Sequence, residues 1–340
     1  MSLQVFWFCL VAVLWSGYFV LEGFDFGVGM LLPFTPRDER ERSVLFESIG
    51  PFWDGNEVWL VVAAGATFAA FPAWYATMFS GFYLALLVLL VFLIIRVVSF
   101  EWRTKHEEDR WRKTWLAANF TGSIAVPLIW GIALANLVNG VPLNSKGEYA
   151  GRLSDLFSAY TVFAGVALVL LCAFHGATFL TLRTTGDLHA RVMRTARLLS
   201  VPVALAVGAF VIWTIAVAVN HNDKNVFPSV VPAVAACCGL ALAVLFVFLR
   251  RTGWAFAMTA VGTVLVIATV FTSLYPRVLV SAPTFANSLT VPNSASAHYT
   301  LVVIAVVAVA VTPIVLLYQG WSYYIFRARL TGDKRGGYVR

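Results

Sequence analysis

Charged residues are scarce in this 340-residue sequence, where Asp, Glu, Lys and Arg make up 12% of all residues. An average soluble domain has about 25%. So few charges cannot cover the surface of a water-soluble protein of this length, which excludes a soluble globular enzyme, a disordered chain and a nucleic-acid-binding protein. Hydrophobic residues reach 60%, and the mean hydropathy is +0.81. The composition therefore predicts a multi-span helical membrane protein.

Cysteine and histidine are also few, and their positions limit the chemistry of the chain. The four cysteines lie inside apolar stretches without a C-x-x-C pattern, so we predict that they are small packing residues rather than a disulfide or metal framework. Of five histidines, only His175 lies well inside an apolar segment, and no pair has the spacing of a bis-histidine haem site. We therefore expect no haem or metal to be bound directly by this chain.

Long apolar segments are abundant, and about 20 such residues cross a bilayer as a helix. The first segment follows no basic stretch and has no clear cleavage site, so we expect it to be retained as a span. The second is the weakest, because it is short and begins with charged residues. We predict an all-α polytopic membrane protein, a single integral membrane domain over residues 1–340. Its nine transmembrane helices lie at about 4–31, 54–72, 76–98, 115–138, 156–181, 199–219, 228–249, 253–275 and 299–326.

The basic residues indicate how these spans are oriented. With nine spans the termini lie on opposite sides, and all but four of the 24 Lys and Arg residues then fall on the side of the C-terminus. The four exceptions are Lys146, Arg152, Lys224 and Arg277. Because basic residues collect on the cytoplasmic side, we expect the N-terminus outside and the C-terminus in the cytoplasm. The net charge of +7 is then explained by basic loops that face anionic lipid head groups.

Three glycines, Gly23, Gly27 and Gly29, lie at the end of the first apolar segment. They are not followed by Lys-Ser or Lys-Thr, and they end a membrane span rather than a strand, so a nucleotide-binding loop is excluded. We predict that these glycines allow close packing against neighbouring helices.

Four carboxylates lie at membrane depth near the cytoplasmic side. Glu22 and Asp25 are three residues apart in the first span, and Asp54 and Glu57 have the same spacing in the second, which places each pair on one helix face. In a structural interpretation, Asp54 caps its helix and Arg96, in the third span, snorkels or pairs with a carboxylate. In a functional interpretation, the carboxylates form the cytoplasmic end of a proton path. The spacing alone leaves both open.

Two longer motifs identify a family. Residues 23–29 read Gly-Phe-Asp-Phe-Gly-Val-Gly, and residues 48–60 read Ser-Ile-Gly-Pro-Phe-Trp-Asp-Gly-Asn-Glu-Val-Trp-Leu. With further matches spread over essentially the whole chain, these residues closely resemble subunit II of the cytochrome bd-type quinol oxidases. The most specific element is the run from Trp53 to Trp59, which also contains the motif residues Gly55 and Asn56.

The resemblance implies two four-helix bundles plus one peripheral helix, in the cytoplasmic membrane of a bacterium. It implies a heterodimer with subunit I, which carries haem b, present twice, and haem d, binds quinol and reduces oxygen to water. Subunit II has no haem ligands in this family. The family also includes complexes with a small single-span accessory subunit. Some members hold a structural quinone or lipid in subunit II, for which the residues here indicate no place.

The resemblance also implies roles for individual residues in supporting subunit I and in proton uptake. Asp54 occupies the position of the family's proton-path aspartate and is the first candidate, followed by Asp25, Glu57 and Glu22. The family tolerates Gln at the position of Glu57, so proton transfer there is not obligatory. Arg96 is expected to form a structural ion pair. Because oxygen reduction consumes protons, uptake from the cytoplasm makes the oxidase electrogenic.

Two other functions are compatible with the residues alone. One is a secondary transporter that uses Asp25 and Asp54 as coupling groups, although transporters usually show repeats and broken helices near the midplane. The other is a purely structural assembly subunit. Purification with a haem-rich partner that oxidises quinol supports the oxidase; a colourless chain that purifies alone and moves a solute supports the transporter.

Overall fold

A computed structural model describes residues 2–222, 227–330 and 338–339 of the chain. Four basic residues of the charge count, Lys224, Lys334, Arg335 and Arg340, lie outside them. The helices are α1 (Leu3–Leu31), α2 (Glu39–Ile49), α3 (Trp53–Ala70), α4 (Pro72–Gly81), α5 (Tyr83–Trp102), α6 (Asp109–Asn139), α7 (Ala159–Arg183), α8 (Gly186–Asn222), α9 (Phe227–Phe248), α10 (Thr252–Leu274), α11 (Val291–Ser294) and α12 (His298–Ile325). The strands are β1 (Arg277–Leu279), β2 (Leu289–Thr290), β3 (Arg329–Leu330) and β4 (Tyr338–Val339). β1 pairs with β2 and β3 with β4, both antiparallel.

Each of the nine predicted spans corresponds to one long helix. Eight described helices are long and apolar enough to cross a bilayer, namely α1, α5, α6, α7, α8, α9, α10 and α12. The ninth, α3, has 18 residues and matches the second predicted span, which is less apolar because it starts with charged residues. The all-helical polytopic fold is therefore confirmed. Two boundaries were wrong. The span predicted at 76–98 begins at Tyr83, because α4 ends at Gly81, where the ring of Tyr149 packs against the glycine. The span predicted at 199–219 begins at Gly186, because the helix continues through the basic residues that precede the apolar segment.

Helix α1 lies at the centre of the protein and contacts α3, α6, α7, α10 and α12. Its close packing depends on two of the predicted glycines. A Cβ at Gly27 would lie 2.0 Å from the carbonyl oxygen of Cys172 on α7, and a Cβ at Gly29 would lie 2.0 Å from Ser123 Oγ on α6. The predicted role is thus confirmed at Gly27 and Gly29, whereas a Cβ at Gly23 would make only ordinary contacts.

One end of the bundle is covered by a loop cap, formed by residues 140–158 and 275–297. The two segments are joined by backbone hydrogen bonds, since the Val141 amide donates to the Val280 carbonyl at 3.0 Å and the Ala282 amide donates to the Val141 carbonyl at 3.0 Å. The pairing of β1 with β2 stiffens the second segment. The loop cap therefore satisfies its own backbone groups and closes this end.

The opposite end is held by ion pairs around the amphipathic helix α2. Glu39 accepts from both Arg42 and Arg103, and Glu41 pairs with Arg191 of α8. Partial burial acts to raise the pKa of Glu39, but the hydrogen bond and charge of Arg103, together with Arg42, lower it below its ordinary value. These pairs fix α2 against α5 and α8.

Helix α12 is peripheral, and among its residues only Leu301 is fully buried. The Trp7 indole donates to the Leu301 carbonyl at 3.0 Å. At the other end, the Arg183 guanidinium donates to the carbonyls of Phe326 and Ala328. The helix is thus fastened at its two ends, with most of its surface free to face lipid or another chain.

We predict that Gly27→Ala destabilises the protein, because the new methyl group would meet backbone atoms that cannot move aside. Overpacking of this kind costs about 1–3 kcal/mol. Gly253→Ala is the matched control, since nothing lies within 4 Å of its Cβ position. The measurement is the thermal unfolding midpoint of the purified protein, and equal midpoints for the two variants would contradict the close α1–α7 packing.

Candidate functional site

Four polar side chains from three helices meet inside the protein, and we call Glu22, Asp25, Asn56 and Arg96 the buried cluster. Each is 0% exposed. Glu22 and Asp25 share a face of α1 because of their spacing, while α3 supplies Asn56 and α5 supplies Arg96. Buried ionisable groups are rare in membrane proteins and usually mark a functional site.

The Arg96 guanidinium forms an ion pair with Glu22. Two aromatic rings hold it from other sides, with the Arg96 Cζ 4.6 Å from the Phe26 ring centroid and 5.3 Å from that of Phe100. A planar guanidinium suits such stacking better than an ammonium group would. Arg96 is therefore fixed in place as the positive charge of the buried cluster.

Asp25 is held by an amide rather than by the guanidinium. The Asn56 Nδ2 donates to Asp25 Oδ2 at 2.7 Å and also to the Leu21 carbonyl at 3.3 Å. The side chain of Asn56 therefore links the start of α3 to two turns of α1. Asn56 was expected only as a motif residue, and the structure gives it a direct contact with a candidate carboxylate.

Helix α12 adds two residues that the sequence analysis missed. Gln319 Nε2 donates to Asn56 Oδ1 at 3.0 Å, and the Tyr323 hydroxyl donates to the same oxygen at 2.8 Å. The Trp59 indole in turn donates to Gln319 Oε1 at 2.7 Å. A signal was present, because Gln319 is a polar residue within an apolar span and lies four residues before Tyr323, on the same helix face.

The charges of the buried cluster do not balance. Two fully buried carboxylates face one guanidinium, and a buried charge without a partner is costly unless it is neutralised. Within the described part of the chain, Glu22 Oε2, Asp25 Oδ1 and two nitrogens of Arg96 have no hydrogen-bond partner. Buried polar atoms without a protein partner need an explanation, such as a functional role, a bound ion or bound water. The buried cluster thus has donor and acceptor atoms that its own side chains do not satisfy.

Asp54 lies outside the buried cluster. It is exposed in the first turn of α3, where Phe52 rather than Asp54 takes the N-cap position, so the expected side-chain cap is not formed. Asp54 lines a cavity of about 470 Å³ between α3 and α12 whose walls also include Asn56, Gln319 and Tyr323. One cavity therefore joins the exposed carboxylate to residues that contact the buried cluster.

The remaining predicted residues of the motif have different surroundings. Trp53 packs its ring 5.4 Å from that of Phe100, whereas the Cβ position of Gly55 is open to space. Glu57 is partly buried, one turn after Asp54, and does not belong to the buried cluster. The spacing of Asp54 and Glu57 thus indicated a shared helix face, but the residue of α3 that faces the interior is Asn56.

His175 does not offer a free nitrogen to an iron in this structure. Its Nε2 is 3.0 Å from the Val20 carbonyl oxygen, its Nδ1 is 2.7 Å from Thr259 Oγ1, and its ring stacks on Phe256. Over residues 2–222 and 227–330, no group of three or more His, Cys, Asp or Glu side chains is arranged to hold a metal ion. Both ring nitrogens of His175 are therefore engaged by neighbouring groups of this chain.

Comparison with known proteins gives a consistent result over nearly the whole chain. The family profile of cytochrome bd terminal oxidase subunit II matches residues 3–326. The chain is 42% identical over 335 residues to cytochrome bd ubiquinol oxidase subunit 2 of Bacillus subtilis, covering 97% of each chain. It is 35% identical to cytochrome bd-I ubiquinol oxidase subunit 2 of Escherichia coli K12, covering 97% of this chain and 96% of the relative.

The fold is also found among solved structures. A chain of the bd oxidase from Geobacillus thermodenitrificans superposes with a TM-score of 0.75, covering 96% of this chain and 97% of that chain. At 19% sequence identity this likeness concerns the fold alone. The helical arrangement is thus shared with a chain of that bd oxidase.

We predict that Arg96→Ala destabilises the protein, because Glu22 loses its counter-charge while it stays buried. Breaking one side of a buried ion pair costs about 3–5 kcal/mol. The yield and thermal midpoint of the purified protein should both fall. The double variant Arg96→Ala, Glu22→Gln should recover part of the loss, and a normal yield of the single variant would show that the pair is dispensable.

Proposed function

Because the chain belongs to the cytochrome bd terminal oxidase subunit II family, we propose that within the ubiquinol oxidase it carries cytoplasmic protons toward the site of oxygen reduction. It also supports subunit I, with which it forms a heterodimer. The haem groups that reduce oxygen belong to subunit I in this proposal, which is supported by the engagement of both ring nitrogens of His175 in hydrogen bonds. This chain contributes carboxylates at two positions, Asp54 at the cavity and Asp25 in the buried cluster.

Asp54 is the cytoplasmic acceptor of the proton. It is exposed in the first turn of α3, where its carboxylate can be reached from water. The cavity that it lines has room for many water molecules, and although most of its lining is apolar, Asp54, Gln319 and Tyr323 supply polar groups that can bind them. Water in this cavity carries the proton inward from Asp54 toward α1.

Asp25 is the buried group that holds the proton. Glu22 already has the charge of Arg96 opposite it, whereas Asp25 has an amide donor and one oxygen without a protein partner. A second negative charge in this interior is costly, and a bound proton removes it. The Glu22–Arg96 pair is thus the fixed charge and Asp25 the exchangeable position.

The direction of proton uptake follows from the difference between the two ends of the molecule, one with basic loops and the other closed by the loop cap. The basic loops favour the cytoplasm for the end that carries α2 and Asp54. The loop cap closes the other end and hinders entry of water from outside. Protons consumed in oxygen reduction then come from one side only, and the reaction charges the membrane.

The observation that carries this proposal is that Asn56 contacts the buried Asp25 and also lines the cavity that reaches the exposed Asp54. We predict that Asp54→Asn assembles with a normal haem content, because the side chain is exposed, and that it slows quinol oxidation. Asp25→Asn should slow it further. The measurement is oxygen consumption with proton uptake by the purified complex in vesicles.

Asp187→Asn is the matched control, since Asp187 is also an exposed aspartate in the first turn of a helix, α8. It should retain full turnover. If Asp54→Asn assembles and keeps full activity with proton uptake from inside, the path does not begin at Asp54. If it fails to assemble, Asp54 has a structural role instead.

The proposed topology predicts a labelling pattern in intact cells. Lys146→Cys in the loop cap should react with a membrane-impermeant maleimide, whereas Lys105→Cys after α5 should not; both positions are exposed. A background without the four native cysteines avoids labelling at the exposed Cys9 and Cys238. Permeabilised cells provide the control, where both variants should react. The reverse pattern in intact cells would invert the topology.

A further inference from the structure

The geometry points to Gln319 and Tyr323 as positioning residues that lock the Asn56 carboxamide so that its N–H faces Asp25. The role assigned to them rests on the proposed function of Asp25 in holding a proton. The hydrogen bonds of both residues in this region go to Asn56 rather than to Asp25, so both act through Asn56. They lie on α12, more than 260 residues away from Asn56 along the chain.

The direction of each hydrogen bond follows from the chemistry of the groups. An indole N–H can only donate, so Trp59 must meet Gln319 at its oxygen, 2.7 Å away. The amide nitrogen of Gln319 then points at Asn56 and donates to Oδ1 at 3.0 Å. The series of hydrogen bonds therefore starts at Trp59, whose bond can run in only one direction.

Tyr323 adds a second hydrogen bond in the orientation that Trp59 and Gln319 set. Its hydroxyl lies 2.8 Å from Asn56 Oδ1, which thus accepts two hydrogen bonds from α12. With its oxygen occupied, Asn56 must present its nitrogen to Asp25 Oδ2, 2.7 Å away, and to the Leu21 carbonyl. A flipped Asn56 would lose its bonds with Gln319, the ionised Asp25 and the Leu21 carbonyl, and would keep only a reversed bond to the Tyr323 hydroxyl.

The orientation matters because of what Asp25 would otherwise face. An N–H donor stabilises a carboxylate without adding a second cation to the buried cluster. A carbonyl oxygen in its place would repel the ionised form and accept only from the protonated one. By fixing the donor, α12 lets Asp25 release its proton and take it up again, which a proton-holding group must do.

The test is infrared difference spectroscopy on the complete oxidase complex, with quinol oxidation measured on the same samples. The Asp25 band is assigned as the band that is lost in Asp25→Asn and moves when the aspartate carboxyls carry carbon-13. The variants are Tyr323→Phe, Gln319→Leu and their combination. Tyr324→Phe is the matched control, because Tyr324 is an exposed tyrosine on the same helix.

We expect the Asp25 band to shift in each single variant and further in the double variant, with no shift in Tyr324→Phe. Turnover of the double variant should fall about tenfold, as for the loss of one hydrogen bond to a charged group. An unshifted band in the assembled double variant overturns the inference. So does an equal shift in the control.

A merely structural role for the two side chains would lower the yield of the complex and leave the Asp25 band in place, which counts against positioning. If the double variant does not assemble, the position of the Asp25 band in Tyr323→Phe is the test, because this substitution removes a single oxygen atom. A shifted band with unchanged turnover and proton uptake supports the positioning of Asn56 and contradicts the proton role of Asp25. The infrared band therefore tests the positioning of Asn56, whereas turnover and proton uptake test the proton role of Asp25.

Discussion

One guanidinium in a low-dielectric interior that holds two buried carboxylates is the constraint on which the buried cluster depends. Arg96 neutralises Glu22, and its charge is held between the rings of Phe26 and Phe100. Asp25 must be satisfied by other means, because no second cation joins it among the described residues. Removing the guanidinium would leave both carboxylates buried without a counter-charge, which is strongly destabilising.

The parts of the structure that follow from local sequence are those with one dominant physical cause. Nine apolar segments have to be helices in lipid, and Gly27 and Gly29 permit the close approach that three small residues near a helix end suggest. The shared face of Glu22 and Asp25 likewise follows from the helical period. The spans and the shared face have causes within a few residues or in the bilayer itself, whereas for the glycines only their small size is local and the partner helices are not.

The rotation of α3 could not be predicted in this way. Asp54 and Glu57 attracted attention as charges, yet the residue of α3 that reaches Asp25 is the neutral Asn56. Valine and alanine occupy positions on all sides of α3, so its sequence has no single apolar stripe that indicates which side faces inward. The contribution of Gln319 and Tyr323 was harder still to foresee, because it depends on where α12 packs, which is decided by long-range contacts such as those of Trp7 and Arg183.

The peripheral position of α12 explains how one helix can bound the cavity and also orient Asn56. A helix that buries little of its surface costs little to displace, and α12 is fastened mainly at its ends. Between them, its polar contacts with Asn56 and Trp59 close one wall of the cavity that begins at Asp54. Water can therefore approach the wall of the buried cluster while Asn56 keeps its donor toward Asp25. The same helix thus bounds the space through which a proton would arrive and sets the hydrogen bond that the accepting carboxylate would meet.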